Sequence, residues 1–175
     1  MPATLGNVTV IGCGLIGGSI VKALRARAAA SRISAIDAAP VLGAARALLD
    51  GAAEIGSREA SALAEASDLV VLAVPIGAIM ASLGPVLTTV RGGATVTDTG
   101  SVKAPIVAAA RSHSNAASFV GGHPMAGREV GGFEASSPDL FERARWFWVE
   151  PAEASAIDRA ILSAHLFGVL ANCGH

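Results

Sequence analysis

Cysteine, aromatic residues and net charge are all scarce in this 175-residue sequence. The two cysteines, Cys13 and Cys173, lie near opposite ends, which excludes a disulfide framework and a cysteine-rich metal site and favours reduced thiols in the cytoplasm. Acidic and basic residues are scattered singly and nearly balance, at a formal charge of -1. The basic surface that nucleic acids require is therefore missing, and we expect no nucleic-acid partner.

Long apolar runs are missing as well. No stretch reaches the roughly 18 uninterrupted apolar residues of a membrane helix, so we expect no membrane association. The first thirty residues are apolar, but glycines interrupt them and the basic residues Lys22, Arg25 and Arg27 follow the apolar stretch. A secretory signal has the opposite polarity, so the sequence predicts a cytoplasmic protein.

What is abundant is small apolar residues, arranged as short strand-like runs that alternate with longer alanine-rich helical stretches. This alternation predicts an α/β domain of Rossmann type, with a doubly wound, mainly parallel sheet and helices on both faces. Residues 69–74 are apolar at every position, as in a central strand covered on both sides. Strands are predicted at 8–11, 33–36, 69–74, 94–97, 118–120 and 146–149; helices at 15–29, 41–49, after Pro75, from Lys103 and at 155–170; and mostly loop at 121–138.

A glycine-rich motif, GCGLIG at residues 12–17, follows the first strand and opens the first helix. This context makes it the phosphate loop of a dinucleotide-binding fold. Gly12 allows the tight turn, Gly14 lets the backbone approach a pyrophosphate, and Gly17 lets the helix pack closely on the strand. The helix start, with Leu15 and Ile16, offers free N–H groups to the phosphates.

An acidic residue, Asp37, ends the second strand about 20 residues further on, where this fold binds the adenosine ribose. A carboxylate there repels a 2′-phosphate, and Ala38, Ala39 and Pro40 supply no cation to hold one, so NAD is favoured over NADP. The alternative is a glycine-rich turn without a ligand, with Asp37 as a turn residue. Cys13, at a variable position of the motif, is interpreted as a small neutral filler.

A second informative stretch delivers a hydroxyl and an imidazole to neighbouring strand ends. TDTGSVK at 97–103 contains Ser101, and GGHPMAG at 121–127 contains His123. An imidazole at this edge can take a proton from a substrate hydroxyl while hydride leaves the adjacent carbon, and a serine can orient it. The alternative for His123 is a loop histidine bonded only to backbone.

These motifs together resemble the prephenate/arogenate dehydrogenase family. They are GxGLIGGS from Gly12, VPI from Val74, DxGSVK from Asp98 and GHPMAG from Gly122, in this order. The first motif is common to many dehydrogenases, but HPMAG after GSVK is specific. Two alternatives stay open: a nicotinamide-dependent dehydrogenase of β-hydroxyacid type, and a non-catalytic nucleotide-binding or redox-sensing module.

The resemblance implies oxidative decarboxylation of a cyclohexadienol, prephenate or arogenate, in tyrosine biosynthesis. It implies that His123 binds the ring C4 hydroxyl and accepts its proton during hydride transfer to NAD. Ser101 would bond His123 and help to place the substrate, while Val74 and Pro75 would line the nicotinamide side. Aromatisation drives the loss of CO₂, so no metal is expected.

Two departures from the family pattern concern the substrate side. Residues 1–170 are predicted to form the dinucleotide-binding domain, and 171–175 to begin a helical domain that is absent here and would build a homodimer. Its docking surface is expected on the last helix, at Ile157, Ile161 and Leu162. The second departure is Arg128, which follows HPMAG where Ser or Thr is usual. Its guanidinium could grip a substrate carboxylate, or pair with Glu129 or Glu134 at the surface.

Overall fold

A seven-stranded sheet forms the centre of the molecule, in a computed structural model that describes residues 5–149 and 168. The strand order is β3-β2-β1-β4-β5-β6-β7; the first six are parallel, and β7 runs antiparallel to β6. The strands are β1 Asn7–Ile11, β2 Arg32–Asp37, β3 Gly51–Glu54, β4 Leu69–Leu72, β5 Thr95–Asp98, β6 Phe119–Pro124 and β7 Trp146–Val149. The helices are α1 Leu15–Ala26, α2 Ala39–Ala45, α3 Arg58–Glu65, α4 Ile76–Thr89 and α5 Lys103–Arg111.

Both faces of the sheet are covered, which is why the central strand β4 is buried at all four positions. One apolar cluster joins the sheet to α1 and α2 and includes Ile20 and Leu42. A second cluster joins it to α3, α4 and α5 and includes Leu83 and Ile106. The predicted Rossmann-type, doubly wound architecture is therefore confirmed.

The crossover from one face to the other lies between β1 and β4. From β1 the chain moves outward through β2 to β3 on one side, and α3 then returns it to β4 on the other side. In open α/β sheets of this kind, ligands bind in the crevice at the carboxyl ends of the strands beside this switch point.

Three parts of the secondary structure differ from the predictions. β3 and α3 were not predicted, because β3 is only four residues of Gly, Ala and Glu without a β-branched side chain. Residues 121–124, predicted as loop, belong to β6, since they pair with β7. Helix α1 ends at Ala26 rather than at residue 29, and α2 ends at Ala45, where a turn of 3₁₀ helix follows.

The predicted last helix at 155–170 lies outside the described residues apart from Gly168, which is helical. Its apolar residues Ile157, Ile161 and Leu162, and the segment 171–175, lie outside them as well. Within the described ranges, no helix combines the length and the apolar character needed to span a bilayer.

Candidate active site

The predicted site residues come together at one edge of the sheet. Gly12 follows β1, Val74 and Pro75 follow β4, and Ser101 follows β5. His123 is the next-to-last residue of β6. Backbone hydrogen bonds continue the pairing past the strand ends, from Ala73 N–H to Ile11 O at 2.7 Å and from Thr99 N–H to Leu72 O at 3.0 Å. The glycine loop and the imidazole therefore share the carboxyl edge.

The glycine loop is shaped by close backbone approach. Gly12 has a φ of 93°, and a Cβ atom there would lie 2.7 Å from the carbonyl oxygen of Ala73. A Cβ atom on Gly17 would lie 1.8 Å from the carbonyl oxygen of Gly12, so this position admits glycine alone. At Gly14 a Cβ atom would meet nothing within 4 Å, which leaves the space above the loop open.

The start of α1 is a fitting site for an anion. Its N-cap, Gly14, has no side chain that could bond the N–H groups of the first turn, and that turn carries no acidic residue. The first N–H groups of a helix have no partner within the helix, and the helix dipole adds partial positive charge there. The backbone at Leu15 and Ile16 is therefore free to bind a phosphate group, which is what a dinucleotide requires.

The carboxylate of Asp37 is already bonded to the glycine loop. One oxygen accepts a hydrogen bond from Cys13 N–H at 2.6 Å, and the other accepts one from Ala38 N–H at 2.7 Å. A carboxylate has about four lone-pair sites, so it retains capacity for ribose hydroxyls. Asp37 thus fixes the loop in addition to the role that the sequence predicts.

Cys13 is fully buried beside this carboxylate. Burial, and secondarily the negative charge of Asp37, raise the pKa of its thiol from 9.0 to about 12. Thiols react as thiolates, so a neutral, inert side chain results, as the interpretation of Cys13 as a filler requires.

His123 is held by a backbone carbonyl. Its Nδ1 lies 3.2 Å from the carbonyl oxygen of Thr99. Because a carbonyl only accepts, the geometry assigns the proton to Nδ1 and leaves a lone pair on Nε2. The imidazole, half-buried at the edge, is therefore prepared to accept a proton at Nε2.

The bond expected between Ser101 and His123 is not formed. Ser101 is exposed, and within the described part of the chain no hydrogen bond joins it to His123. The Thr99 carbonyl takes its place because Thr97 pairs with Val120, and this register carries Thr99 alongside the end of β6. A backbone partner of this kind leaves no signal in the side-chain sequence.

A buried ion pair below this point was also missed. Asp98, fully buried, pairs with Lys103, whose amine also donates to the carbonyl oxygen of Gly122. Burial lowers the pKa of Lys103, and the neighbouring Asp98 opposes that shift. Both residues belong to the DxGSVK motif, but the sequence alone predicts no role for either.

Arg128 lies exposed on the loop after β6. Its guanidinium donates to the carbonyl oxygen of Ala135 at 3.3 Å. It forms no ion pair with Glu129 or Glu134 among the residues described, so the surface pair offered as one alternative is not made.

An apolar cleft of about 230 Å³ lies beside the ends of β1 and β2. It is lined by Ile11 and Ile36 at the strand ends, by Ile55 after β3, and by α3 and α4. Ile55 is 62% exposed although it is a large apolar side chain, as expected of a surface that receives a flat apolar group. It was missed because β3 and α3 were not predicted. No group of three or more potential metal ligands occurs within the described ranges.

Comparison with known families shows the family to which this chain belongs. A family model described as "Prephenate dehydrogenase, nucleotide-binding domain" matches residues 17–161. The chain belongs to the prephenate dehydrogenase family. The resemblance drawn from the sequence motifs is thereby confirmed, and the alternative of a β-hydroxyacid-type dehydrogenase is set aside.

Individual relatives agree with the family match. The chain is 33% identical over 154 residues to the prephenate dehydrogenase of Lactococcus lactis, and 31% identical over 143 residues to the cyclohexadienyl dehydrogenase of Zymomonas mobilis. These matches cover 84% and 78% of the chain. A crystal structure of prephenate dehydrogenase from Aquifex aeolicus, in complex with hydroxyphenyl propionate and NAD⁺, superposes with a TM-score of 0.84 at 27% identity over 97% of the chain.

The chain is shorter than all three of these proteins. It covers 42% and 46% of the two curated relatives, and 59% of the Aquifex chain. What the family match establishes for this chain is therefore a nucleotide-binding domain.

Proposed function

We propose that this chain is the NAD-binding half of an enzyme that oxidatively decarboxylates prephenate or arogenate in tyrosine biosynthesis, in the cytoplasm. The observation that carries the proposal is the arrangement of His123, whose Nε2 lone pair lies at the same sheet edge as the uncapped start of α1. A hydride acceptor and a proton acceptor are the two groups that the oxidation of an alcohol needs. Family membership and the Aquifex neighbour with NAD⁺ support the choice of cofactor.

Bound NAD would supply the hydride acceptor. The N–H groups of Leu15 and Ile16 would hold its pyrophosphate, for which the open space at Gly14 leaves room. The remaining lone pairs of Asp37 would accept hydrogen bonds from the ribose hydroxyls, and the apolar cleft beside Ile55 would receive the adenine. Val74 and Pro75, after β4, would line the nicotinamide side.

In the proposed reaction, His123 takes up the substrate proton and later returns it. The substrate hydroxyl donates its proton to Nε2 while hydride leaves C4, the ring carbon that bears this hydroxyl. The ring carboxylate then departs as CO₂, and its bonding electrons complete the aromatic ring. The oxygen at C4 becomes a phenol by taking the proton back from His123, so the imidazole ends the cycle neutral.

Substrate placement falls to Ser101 and Arg128 in this proposal. Ser101 is exposed after β5, the strand next to β6, and among the described residues no hydrogen bond occupies its hydroxyl, so the hydroxyl would be available to the substrate. The guanidinium of Arg128 could donate two parallel hydrogen bonds to one substrate carboxylate, a bidentate geometry that a lysine cannot reproduce. Residues 171–175 would begin the helical domain that supplies further cationic groups and the dimer contact.

The test is replacement of the proton acceptor, in a form of the protein that includes the carboxyl-terminal domain. His123→Gln keeps the hydrogen-bonding shape but cannot take a proton, so kcat should fall by about 10²–10⁴-fold while the Kd for NAD changes little. NADH formation, followed by absorbance with prephenate and with arogenate in turn, measures kcat. Arg128→Ala should raise KM for the substrate only.

His113→Gln is the matched control, because this histidine follows α5 and packs beside Gly84 of α4, away from the edge. It should leave kcat unchanged. A His123→Gln enzyme that keeps its kcat within a few-fold would remove the proposed role of the imidazole.

A further inference from the structure

The buried pair of Asp98 and Lys103 takes no part in the chemistry proposed above, yet it contacts the backbone on both sides of the bond that holds His123. Asp98 is fully buried at the end of β5, and the Lys103 side chain is 15% exposed at the start of α5. A full charge this deep in a protein is costly unless every part of it is bonded, so the contacts of the pair need a physical account.

The two oxygens of Asp98 hold two different peptide groups. One oxygen accepts the N–H of Gly100 at 2.9 Å, and the other accepts the N–H of Gly122 at 3.2 Å. Lys103 closes the arrangement by donating to Asp98 and to the Gly122 carbonyl oxygen. Gly100 adjoins Thr99 and Gly122 adjoins His123, so the pair fixes both ends of the Thr99–His123 hydrogen bond.

The glycines at these two places show how closely the backbone is packed on the pair. A Cβ atom on Gly100 would lie 3.0 Å from a carboxylate oxygen of Asp98 and 2.9 Å from the side chain of Ile106. A Cβ atom on Gly122 would lie 2.9 Å from the carbonyl oxygen of Asp98. Movement of either peptide group is thus restricted sterically as well as by hydrogen bonds.

We propose that Asp98 and Lys103 are positioning residues that keep His123 in the tautomer with the proton on Nδ1. They do so by holding the Thr99 carbonyl oxygen and the imidazole at hydrogen-bonding distance. A buried ion pair contributes little net stability compared with apolar residues of the same volume, whereas its fixed directions suit a device that sets geometry. The catalytic consequence rests on the proposed function, but the tautomer itself does not.

The tautomer is measurable on the 175-residue chain without any enzyme assay. Two-bond ¹H–¹⁵N correlation spectra, recorded above the titration range of the imidazole, distinguish a proton on Nδ1 from a proton on Nε2. The His123 signal is assigned by its loss in His123→Gln. In the unaltered chain we expect the proton on Nδ1, and a proton on Nε2 would already overturn the proposal.

The decisive variant is Lys103→Met, which removes the donor and keeps the length of the side chain. His123 should then shift toward the Nε2–H tautomer or an exchanging mixture. Lys22→Met is the matched control, since Lys22 also donates to two part-buried carbonyl oxygens but makes no hydrogen bond or ion pair with Asp98. It should leave the His123 signal unchanged.

Asp98→Asn/Lys103→Met removes both charges together and is used if Lys103→Met does not fold, because a lone buried carboxylate is destabilising. A folded variant with His123 still protonated on Nδ1 would overturn the proposal. In a catalytically active form, the same variants should lower kcat by about 10²-fold, the effect of a small misplacement, with KM for NAD unchanged. An unaltered enzyme without turnover would count against the proposed function alone, since the tautomer is read independently.

Discussion

At the scale of single residues, the glycines of the phosphate loop have separate tasks. Gly17 is needed for the fold, because its place is filled by the carbonyl oxygen of Gly12. Gly14 faces open space, and its φ of -70° is accessible to any residue. The packing of the protein itself therefore does not require glycine at position 14, and a need for glycine there would come from the proposed pyrophosphate site.

This distinction gives a first prediction. Gly14→Ala should lower the free energy of unfolding by at most about 1 kcal/mol, the cost of alanine at a helix N-cap, since its Cβ atom meets nothing. It should weaken NAD binding about tenfold or more, because losing a hydrogen bond to a charged group costs about 1.5–3 kcal/mol. Urea unfolding and titration calorimetry measure the two effects.

Gly17→Ala is the comparison, and it should lose about 3 kcal/mol of stability or more, because its Cβ atom would overlap the carbonyl oxygen of Gly12. If Gly14→Ala bound NAD as tightly as the unaltered chain, the pyrophosphate could not pass over this loop.

The buried thiol gives a second residue-scale prediction, on alkaline stability. In the unfolded chain Cys13 ionises near 9.0, whereas in the folded chain its pKa is about 12. Between these values the unfolded state loses the proton first, so the free energy of unfolding falls as pH rises, by at most about 1.4 kcal/mol per pH unit from this group. The contribution is fully present below pH 9.

Cys13→Ala isolates this effect. Urea midpoints of both proteins from pH 8 to 10.5 should show a steeper loss for the unaltered chain, while Lys103 and the other titrating groups contribute equally to both. Parallel curves would mean that the thiol ionises in the folded protein near its ordinary pKa.

At the scale of elements, the long connection from β6 to β7 is packed on α1. Phe141 is fully buried and lies against Trp146, while Lys22 donates to Ser136 O at 2.9 Å and sits over the Phe133 ring. The helix that starts at the glycine loop thus also supports the segment that carries Arg128.

Phe141→Ala should accordingly cost about 3–5 kcal/mol of stability, the usual effect of removing a buried aromatic ring. Phe147→Ala is a control of identical chemistry on β7, where the ring is 52% exposed, and should stay within about 0.5 kcal/mol. Urea unfolding compares the two. If Phe141→Ala lowered the free energy of unfolding as little as Phe147→Ala does, the connection would not be part of the folded core.

The elements that could be predicted are those whose residues carry the signal themselves. β4 is apolar throughout because it is covered on both faces, and the glycine loop needs its residues in place. β3 has no such signal: only Ala53 is buried in its four residues, and pairing with β2 makes it a strand. In the same way, His123 can be proposed from its own chemistry, but its partner is the main-chain carbonyl of Thr99, which only the strand register reveals.

At the scale of the whole molecule, the groups proposed for nucleotide binding and for proton transfer lie along one edge, while the described residues offer few candidates for binding substrate carboxylates. On the nucleotide side, the start of α1 follows β1, Asp37 ends β2, and Ile55 of the apolar cleft follows β3. On the substrate side the described residues offer the exposed Arg128 as a candidate. Binding of the cofactor and turnover of the substrate should therefore separate in this chain.

The final prediction is that this chain binds NAD but does not turn over the substrate. NAD at a hundred times its Kd should stabilise the 175-residue chain by about 2.7 kcal/mol, measured as a rise in the thermal midpoint. NADP at the same concentration should stabilise it less, because the carboxylate of Asp37 repels a 2′-phosphate, and Asp37→Asn should narrow the difference. NADH formation from prephenate should stay at background, because the proposed second domain would supply most of the cationic groups that bind the two substrate carboxylates. Robust NADH formation by this chain would show that its own residues complete the substrate site, and the proposed dependence on a second domain would be wrong.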